Sequence, residues 1–207
     1  MKKEIIQTMK YNTIYNENFD IVFNKLMGSE SPVITNTNGD LGGLTVAGIS
    51  KVNHPTWFYW DYIERQLKLG NYKYNTILPK SFIENEVASF YYNTYWSKYS
   101  LDLFPFDISA VLFDQLINPG PYIATKHLQE LLNTLNYNTD NEELVVDGKW
   151  GNKTRTRLQE YSKKYKDFIK NSLIYLQGSY YINLANKNTN QRKFIKGWIN
   201  RVIAHNK

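Results

Sequence analysis

The chain has no cysteine among its 207 residues. Disulfide frameworks, thiolate zinc sites and cysteine nucleophiles are therefore excluded. Histidine is also scarce, and His54, His127 and His205 lie far apart, without a His-x-x-x-His spacing. Glycine-rich nucleotide-binding patterns do not occur either. The sequence accordingly predicts no metal site and no cofactor, and it gives no support to nucleotide chemistry.

Long apolar runs are lacking as well. No window approaches the roughly 18 consecutive apolar residues that a membrane-spanning helix needs. Residues 1–8 are partly basic but are not followed by the apolar stretch of about seven residues found in secretory signal peptides. We therefore expect synthesis in the cytoplasm, no stable membrane insertion, and another route to any substrate outside the cell.

Aromatic residues and positive charge are abundant, with 15% aromatic residues, 17 tyrosines and a net charge of +6. A basic surface attracts polyanions such as nucleic acid, anionic membranes or the acidic polymers of a bacterial wall, and charge alone does not choose among them. Hydrophobic residues at 42% and charged residues at 21% are ordinary values for a folded globular protein.

Helical periodicity dominates the pattern. Apolar residues recur at three- and four-residue spacing over residues 17–27, which predicts a first helix from Glu17 to Met27 with Gly28 as its stop. The same pattern predicts further helices over about 57–69, 81–99, 108–117, 122–136, 152–168, 170–186 and 190–204. The chain is therefore expected to be mainly α.

Residues 33–49 have a different residue pattern from the helical segments. β-Branched residues, the turn pair Asn38-Gly39 and the pair Gly42-Gly43 favour a short hairpin over more helix. The sequence thus predicts a mainly helical fold with a small β-hairpin flap after the first helix.

Glu30, Asp40 and Thr45 form the candidate catalytic group. Glycoside hydrolysis needs one carboxylic acid to protonate the leaving oxygen, and a carboxylate or positioned water to act at the anomeric carbon. Glu30 follows a packed helix, and a strand that folds back brings Asp40 and Thr45 towards it. Spacing alone also fits a solvated surface glutamate and a turn-forming aspartate.

A family resemblance favours the catalytic interpretation. Glu30 followed by residues 40–50, DLGGLTVAGIS, resembles the signature of glycoside hydrolase family 108, the N-acetylmuramidases of phage lysins. Residues 92–96 are similar to a tyrosine- and tryptophan-containing element of that family, and residues 110–121 resemble its ALFD and NSGP stretches. Residues 146–154 and 194–201 resemble the Asp-Gly-x-x-Gly turn and the FLKGWLNRV stretch of a peptidoglycan-binding region.

The resemblance implies a lysozyme-like fold in two parts. Residues 1–100 would form the catalytic muramidase part, and residues 101–207 a helical, peptidoglycan-binding part packed against the first. The family's catalytic glutamate corresponds to Glu30, and its aspartate and threonine correspond to Asp40 and Thr45. In phage-type lysozymes, which have the same order of residues, the threonine helps to hold the attacking water.

The sequence departs from the family pattern around the catalytic glutamate. Ser31-Pro32-Val33 replaces Gly-Gly-Tyr, Leu41 replaces proline, and the interval from Glu30 to Gly42 is one residue longer. Pro32 opposes helical geometry at Ser31, so Glu30 is still expected at the end of its helix.

Candidate substrate-binding residues are Trp57, Tyr95, Trp96 and Asn118. Tryptophan and tyrosine rings stack on sugars, although aromatic residues at helical spacing also commonly form core. Together with Phe58, Trp57 and Tyr95 are also expected to give Glu30 the apolar surroundings that raise the pKa of a general acid.

The expected function is hydrolysis of the β-1,4 bond between N-acetylmuramic acid and N-acetylglucosamine by a monomeric endolysin. The enzyme would reach the wall through a holin or a dedicated export system. Two alternatives are a lytic transglycosylase, which also works with a lone glutamate, and an inactive wall-binding or structural protein. A basic nucleic-acid binder is a third, for which no recognised motif occurs, so the expected partner is peptidoglycan and not nucleic acid.

Overall fold

The computed structural model describes residues 9–36 and 43–206. Contacts between Cα atoms divide the chain into two units, Met1–Thr94 and Tyr95–Lys207. Both units are built mainly from helices, and the only strands among the described residues lie in the first. The prediction of a mainly α chain is confirmed.

Helix α1 of the first unit spans Glu17–Glu30. Its predicted apolar face is core, since Phe19 and Phe23 are fully buried. The side chain of Asn16 caps its first turn by accepting a hydrogen bond from the Phe19 amide at 2.9 Å. The predicted end at Met27 is wrong, because the helix continues through Gly28 for three more residues. A helical glycine costs only about 1 kcal/mol.

A three-stranded antiparallel sheet follows, in the order β1 (Ile34–Thr35), β2 (Thr45–Val46) and β3 (Ile49–Ser50). The predicted hairpin is therefore extended by a third strand. The turn between β2 and β3 consists of Ala47 and Gly48, with φ of 47° and 83°. Positive φ at both central residues is the geometry of a type I′ hairpin turn.

Two helical segments complete the first unit. Helix α2 spans Trp60–Lys68. Helix α3 runs over residues 80–97 and ends in the second unit; it consists of α-helical Lys80–Phe82, π-helical Ile83–Val87, α-helical Ala88–Tyr91 and π-helical Tyr92–Ser97. Wide π-helical turns are uncommon and often accompany functional sites.

The second unit contains five further helices. They are α4 (Phe106–Ile117), α5 (Pro121–Thr134), α6 (Asn152–Lys164), α7 (Lys166–Lys187) and α8 (Ile195–Ile203). Short 3₁₀ segments cover Leu101–Leu103, Thr189–Phe194 and Ala204–Asn206. Their shared core consists of fully buried aliphatic side chains, among them Ile108, Ala124, Leu128, Leu132, Leu158, Ile169 and Leu173.

Asp114 joins α4 to the end of the chain. Its carboxylate lies 3.2 Å from Nη1 of Arg201 and 3.3 Å from Nε2 of His205. Gln177 of α7 donates to it at 2.7 Å, and Asn118 donates at 3.1 Å. Because the Asp114 side chain is only 14% exposed, these partners replace most of its hydration. The carboxylate therefore holds α4, α7 and α8 together.

The Asp-Gly turn before α6 is also held from inside the unit. Gln129 of α5 is buried; it donates to Asp147 at 3.0 Å and accepts from the Gly148 amide at 2.9 Å. The Asp147 carboxylate also accepts from the Lys149 amide at 2.9 Å. This family-like motif thus acts here as a structural turn.

Gly148→Ala is expected to destabilise the second unit by about 1–3 kcal/mol. Gly148 has a φ of 67°, and an added Cβ would lie 2.4 Å from the Tyr122 ring and 2.9 Å from its carbonyl oxygen. Urea denaturation measures the change. Gly197→Ala is the control, because nothing lies within 4 Å of its added Cβ inside α8, and helix propensity predicts a small gain. Equal stability of the two variants would contradict the prediction.

Candidate active site

The chain turns sharply after Glu30, the last residue of α1. Ser31 adopts a φ of 62°, and its amide donates to the Met27 carbonyl at 3.2 Å. The amide of Val33 then donates to the Ser31 carbonyl at 2.8 Å. Pro32 explains the turn, because its ring disfavours helical backbone at the preceding residue. Glu30 is thus the last residue of its helix, three residues beyond the predicted end at Met27, and the chain leaves the helix there as expected from Pro32.

The segment that leaves Glu30 is held on both sides. On one side, the amide of Ala47 donates to the Val33 carbonyl at 2.9 Å. On the other, the Leu78 amide donates to the Pro32 carbonyl at 2.8 Å, and the Asn75 amide donates to Ile34 at 2.7 Å. The backbone that follows Glu30 is therefore fixed between β2 and the segment before α3.

Thr45 lies at the start of β2, opposite Thr35 of β1 and Ser50 of β3. Directly opposed residues of antiparallel strands place their side chains on the same face. The three hydroxyl residues therefore form a row across the sheet, and Ile34, Val46 and Ile49 form a fully buried row on the other face. Thr35 is only five residues from Glu30, so strand pairing links Thr45 to the predicted acid.

The half-buried Thr45 donates its hydroxyl proton to the Gly43 carbonyl at 3.2 Å. The oxygen lone pairs of this hydroxyl can then accept a hydrogen bond. Asp40, the second predicted carboxylate, lies outside the described residues. Sequence reasoning missed Thr35 and Ser50, although their place beside apolar strand residues follows a two-residue alternation that could have indicated them.

Tyr91 of α3 holds one turn of the sheet through a hydrogen bond. Its buried hydroxyl donates to the carbonyl of Ala47, in the turn between β2 and β3, at 3.0 Å. Turn residues with positive φ other than glycine need such support, because the conformation is strained. Sequence reasoning missed this contact, which spans 44 positions.

Tyr91→Phe is expected to lower the stability of the first unit by about 1–3 kcal/mol, because it leaves a buried carbonyl without a partner. We also expect slower substrate turnover, since the β2–β3 turn is less well held. Urea denaturation and an activity assay measure the two effects. Tyr74→Phe is the control, because the Tyr74 side chain is 51% exposed. A Tyr91→Phe protein as stable as this control would argue against the role of Tyr91.

Trp57 is half-buried in an aromatic cluster of the first unit. Its ring centroid lies 4.9 Å from Trp60 and 5.7 Å from Tyr59, and 6.0 Å from Phe90 and 6.4 Å from Phe82. The three edge-to-face pairs, with Trp60, Phe90 and Phe82, fix the orientation of the indole. Trp57 therefore combines a rigid position with partial solvent access, which suits a sugar-contacting ring.

The edge of this cluster is exposed and polar. Phe58 is 85% exposed and contacts Tyr59 edge-to-face at 5.3 Å. A hydrogen bond to Glu86, together with burial, raises the pKa of Tyr59 to about 12. Tyr59 therefore remains a neutral donor at physiological pH. Because its own ring is largely in contact with solvent, Phe58 by itself does not form a dry environment.

The other predicted substrate residues belong to the second unit. Trp96 is fully buried, donates from Nε1 to Asp102 at 2.8 Å and packs against Phe113 at 5.7 Å. Tyr95 is 6% exposed, and burial raises its pKa to about 12. Asn118 is half-buried and donates to the carbonyl and carboxylate of Asp114. In these positions Tyr95 and Trp96 pack in the core, and substrate contact by Asn118 stays a prediction.

Within the described part of the chain, no three histidine, aspartate or glutamate residues lie together in a way that would hold a metal ion. The described helices also include none with the length and apolar character needed to cross a bilayer.

Comparisons with known proteins agree with this architecture. Residues 23–120 match the family model described as Glycosyl hydrolase 108, and residues 123–203 match one described as Predicted Peptidoglycan domain. The solved structure titled "Structure of Brucella abortus SagA" is 21% identical, with a TM-score of 0.57 over 90% of each chain. No curated protein matches the sequence.

These findings confirm the predicted fold and the resemblance. The mainly α, lysozyme-like fold is shared with the SagA structure. The Glycosyl hydrolase 108 match supports glycoside hydrolase activity, and the second match supports peptidoglycan as the partner. Residues 23–120 thus resemble family 108 glycosyl hydrolases, and residues 123–203 resemble a predicted peptidoglycan domain.

Proposed function

We propose that the protein is an N-acetylmuramidase that hydrolyses the β-1,4 bond between N-acetylmuramic acid and N-acetylglucosamine, with Glu30 as the general acid. One observation carries the proposal. Glu30 ends α1 where the chain turns into a sheet whose second strand begins with Thr45. The reaction needs an acid at the leaving oxygen and a carboxylate or positioned water at the anomeric carbon. We propose Glu30 as the acid and Thr45 as a residue that helps to hold the water.

The position of Glu30 on its helix favours the acid role. The C-terminal end of a helix carries partial negative charge, which disfavours an ionised carboxylate there. A general acid must stay protonated near neutral pH, so this effect acts in the required direction. The backbone hydrogen bonds of Ser31 and Val33 keep the end of the helix rigid.

Thr45 supplies the contact for the attacking water. Its hydroxyl proton is engaged by the Gly43 carbonyl, so its lone pairs are left to accept a hydrogen bond from a water. An ionised carboxylate at Asp40 would stabilise the positive charge that develops at the anomeric carbon. We propose an inverting reaction, in which a water enters between the sugar and these residues.

Trp57 is the aromatic residue that we propose for glycan contact, because its ring is rigidly held and partly exposed. Its first-unit position also fits the expectation that it contributes apolar surroundings to the acid. For Tyr95 and Trp96 we propose a packing role.

Product analysis tests the proposed reaction. Purified protein is incubated with sacculi in H₂¹⁸O, and the released fragments are separated and weighed by mass spectrometry. We expect fragments ending in reducing N-acetylmuramic acid with one ¹⁸O at the new end, and proton NMR of the first product should show the inverted anomer. Anhydro ends would identify a lytic transglycosylase, and reducing N-acetylglucosamine ends would identify cleavage of the other bond. Binding to sacculi without release would identify an inactive wall-binding protein.

The bacteriolytic role of a phage endolysin is part of the same proposal. Induction of the chain in a bacterial host is expected to cause lysis only when a holin is co-expressed. Lysis without a holin would argue for a different route to the wall.

A further inference from the structure

A groove of about 320 Å³ lies between α5 and α7 in the second unit. Half-buried Leu176, His127 and Tyr180 line it, and polar residues including Asn183 and Lys187 surround them. Apolar and aromatic walls with a few convergent polar groups are typical of small-ligand sites. The groove lies within the match to the predicted peptidoglycan domain, far along the chain from Glu30.

His127 has an unusual environment in this groove. Its ring meets the Tyr180 ring edge-to-face at 5.9 Å, and its Nδ1 is buried without a hydrogen-bond partner among the described residues. Unpaired buried nitrogens are uncommon in native proteins, and each costs stability. Desolvation lowers the pKa of His127, so the ring is neutral at physiological pH.

Charges of both signs surround the groove. Lys126 lies 3.8 Å from Glu130, in an exposed pair one helical turn apart. Lys187 ends α7 and has no ion-pair partner among the described residues. Within the described part of the chain, the groove therefore offers the Lys187 ammonium, without an ion-pair partner, and the Glu130 carboxylate, whose exposed ion pair with Lys126 is weak.

We propose that this groove binds the peptide stem of peptidoglycan. The stem is a short peptide that carries free carboxylates and, at its diamino acid, an amine. Its carboxylate would pair with Lys187, its amine with Glu130 and its amide groups with Asn183, while its aliphatic side chains would lie against Leu176 and Tyr180. This inference takes only one point from the proposed function, which is that the polymer is peptidoglycan.

The charges favour the stem over the glycan. The lactyl carboxyl of each muramic acid is joined to the stem as an amide, so an intact glycan strand has no carboxylate of its own to offer Lys187. A zwitterionic peptide instead matches both charges of the groove.

Titration of the full-length protein with free stem peptide tests the proposal. The probe is the tetrapeptide stem released from sacculi by an amidase, added to ¹⁵N-labelled protein and followed by NMR. We expect chemical-shift changes at His127, Tyr180 and Asn183. Lys187→Ala should raise the Kd about twofold to fivefold, as expected for loss of one exposed charge pair. Lys153→Ala, which removes an exposed lysine outside the groove, should leave the Kd unchanged.

Several results would overturn the proposal. These are an absence of shifts at the groove, equal binding by the Lys187→Ala protein, or the same shifts with oligosaccharides of N-acetylglucosamine, which carry no carboxylate. The free stem contains no glycosidic bond, so its binding is independent of Glu30 and of hydrolysis. A protein that binds the stem but cleaves no glycan would refute the proposed function and leave this inference standing.

Discussion

Glu30→Gln is expected to slow the release of muropeptides from sacculi by about 10²–10⁴-fold, the usual contribution of a general acid. Glutamine keeps the size and most of the hydrogen-bonding capacity of glutamate but has no proton to give the leaving oxygen. Because position 30 is the last in α1, the substitution disturbs only the end of the helix. We therefore expect the urea midpoint to stay close to that of the parent protein.

The matched control is Glu17→Gln, the same chemical change at the exposed first residue of the same helix. Its turnover should equal that of the parent, and its stability should fall by no more than the few tenths of a kcal/mol that a carboxylate contributes at a helix N-terminus. Initial rates at saturating sacculi separate a lost proton donor from weakened binding. If Glu30→Gln retains full turnover, Glu30 is not the acid.

The helices of this protein could be predicted because each buries an apolar face at regular spacing. Phe19 and Phe23 illustrate this, since both recur at helical spacing and both are fully buried. The ends were less predictable. Glycine at position 28 suggested a stop, but the real stop is the steric effect of Pro32 on Ser31, which takes a φ of 62°. The steric restriction that Pro32 places on the preceding residue therefore outweighs the weak tendency of Gly28 to end the helix.

The sheet shows why the local sequence pattern was insufficient to predict every turn. Asn38-Gly39 and Gly42 lie outside the described residues, and β1 and β2 pair as the predicted hairpin requires. The sequence pattern did not indicate the next turn, Ala47-Gly48, in which both residues have positive φ. Alanine rarely adopts this conformation, and here the distant Tyr91 hydroxyl supports its carbonyl. The periodicity of α3 likewise carried no indication of its π-helical turns over Ile83–Val87 and Tyr92–Ser97.

Part of the candidate site was within reach of the sequence. The departure of the chain from its helix at Pro32, directly after Glu30, and a strand at Thr45 both follow from local rules, and both are present. Whether an aromatic residue is core or surface depends on its tertiary neighbours. Trp57 and Trp96 were both candidates for glycan contact. The fold leaves Trp57 half-buried and buries Trp96 completely, which the sequence pattern could not indicate.

Asp114→Ala is expected to destabilise the protein by about 3 kcal/mol, near the lower end of the range for breaking a buried ion pair. The lower end applies because the Arg201 side chain is 24% exposed and keeps part of its hydration. Asp114 belongs to the stretch that resembles ALFD, and Arg201 belongs to the stretch that resembles FLKGWLNRV. Each motif could be found in the sequence, but the ion pair that joins them across 87 positions could not.

The control for this prediction is Asp107→Ala, at a half-exposed aspartate of the same helix. Asp107 lies 2.8 Å from Lys166, and both side chains are at least 40% exposed. Its loss should cost less than about 1 kcal/mol, as is usual for a surface pair. Urea denaturation at pH 7 compares the variants, and equal destabilisation by the two would show that Asp114 is no more than a surface charge.

The effect of Asp114 should also depend on pH. Burial opposes ionisation of this carboxyl, but His205, Arg201 and Gln177 together outweigh burial and hold its pKa below the usual value. The ionised group therefore stabilises the folded state above about pH 4, the pKa in an unfolded chain, and this contribution falls as the pH drops through the lower folded value. In Asp114→Asn, the difference from the parent protein should be large at pH 7 and should shrink on acidification. A difference that stays constant down to pH 2 would mean that packing, not charge, is what Asp114 contributes.

Since the ion pair connects residue 114 of the hydrolase match to residue 201 of the peptidoglycan-domain match, a chain ending at residue 120 should lack a stable α4.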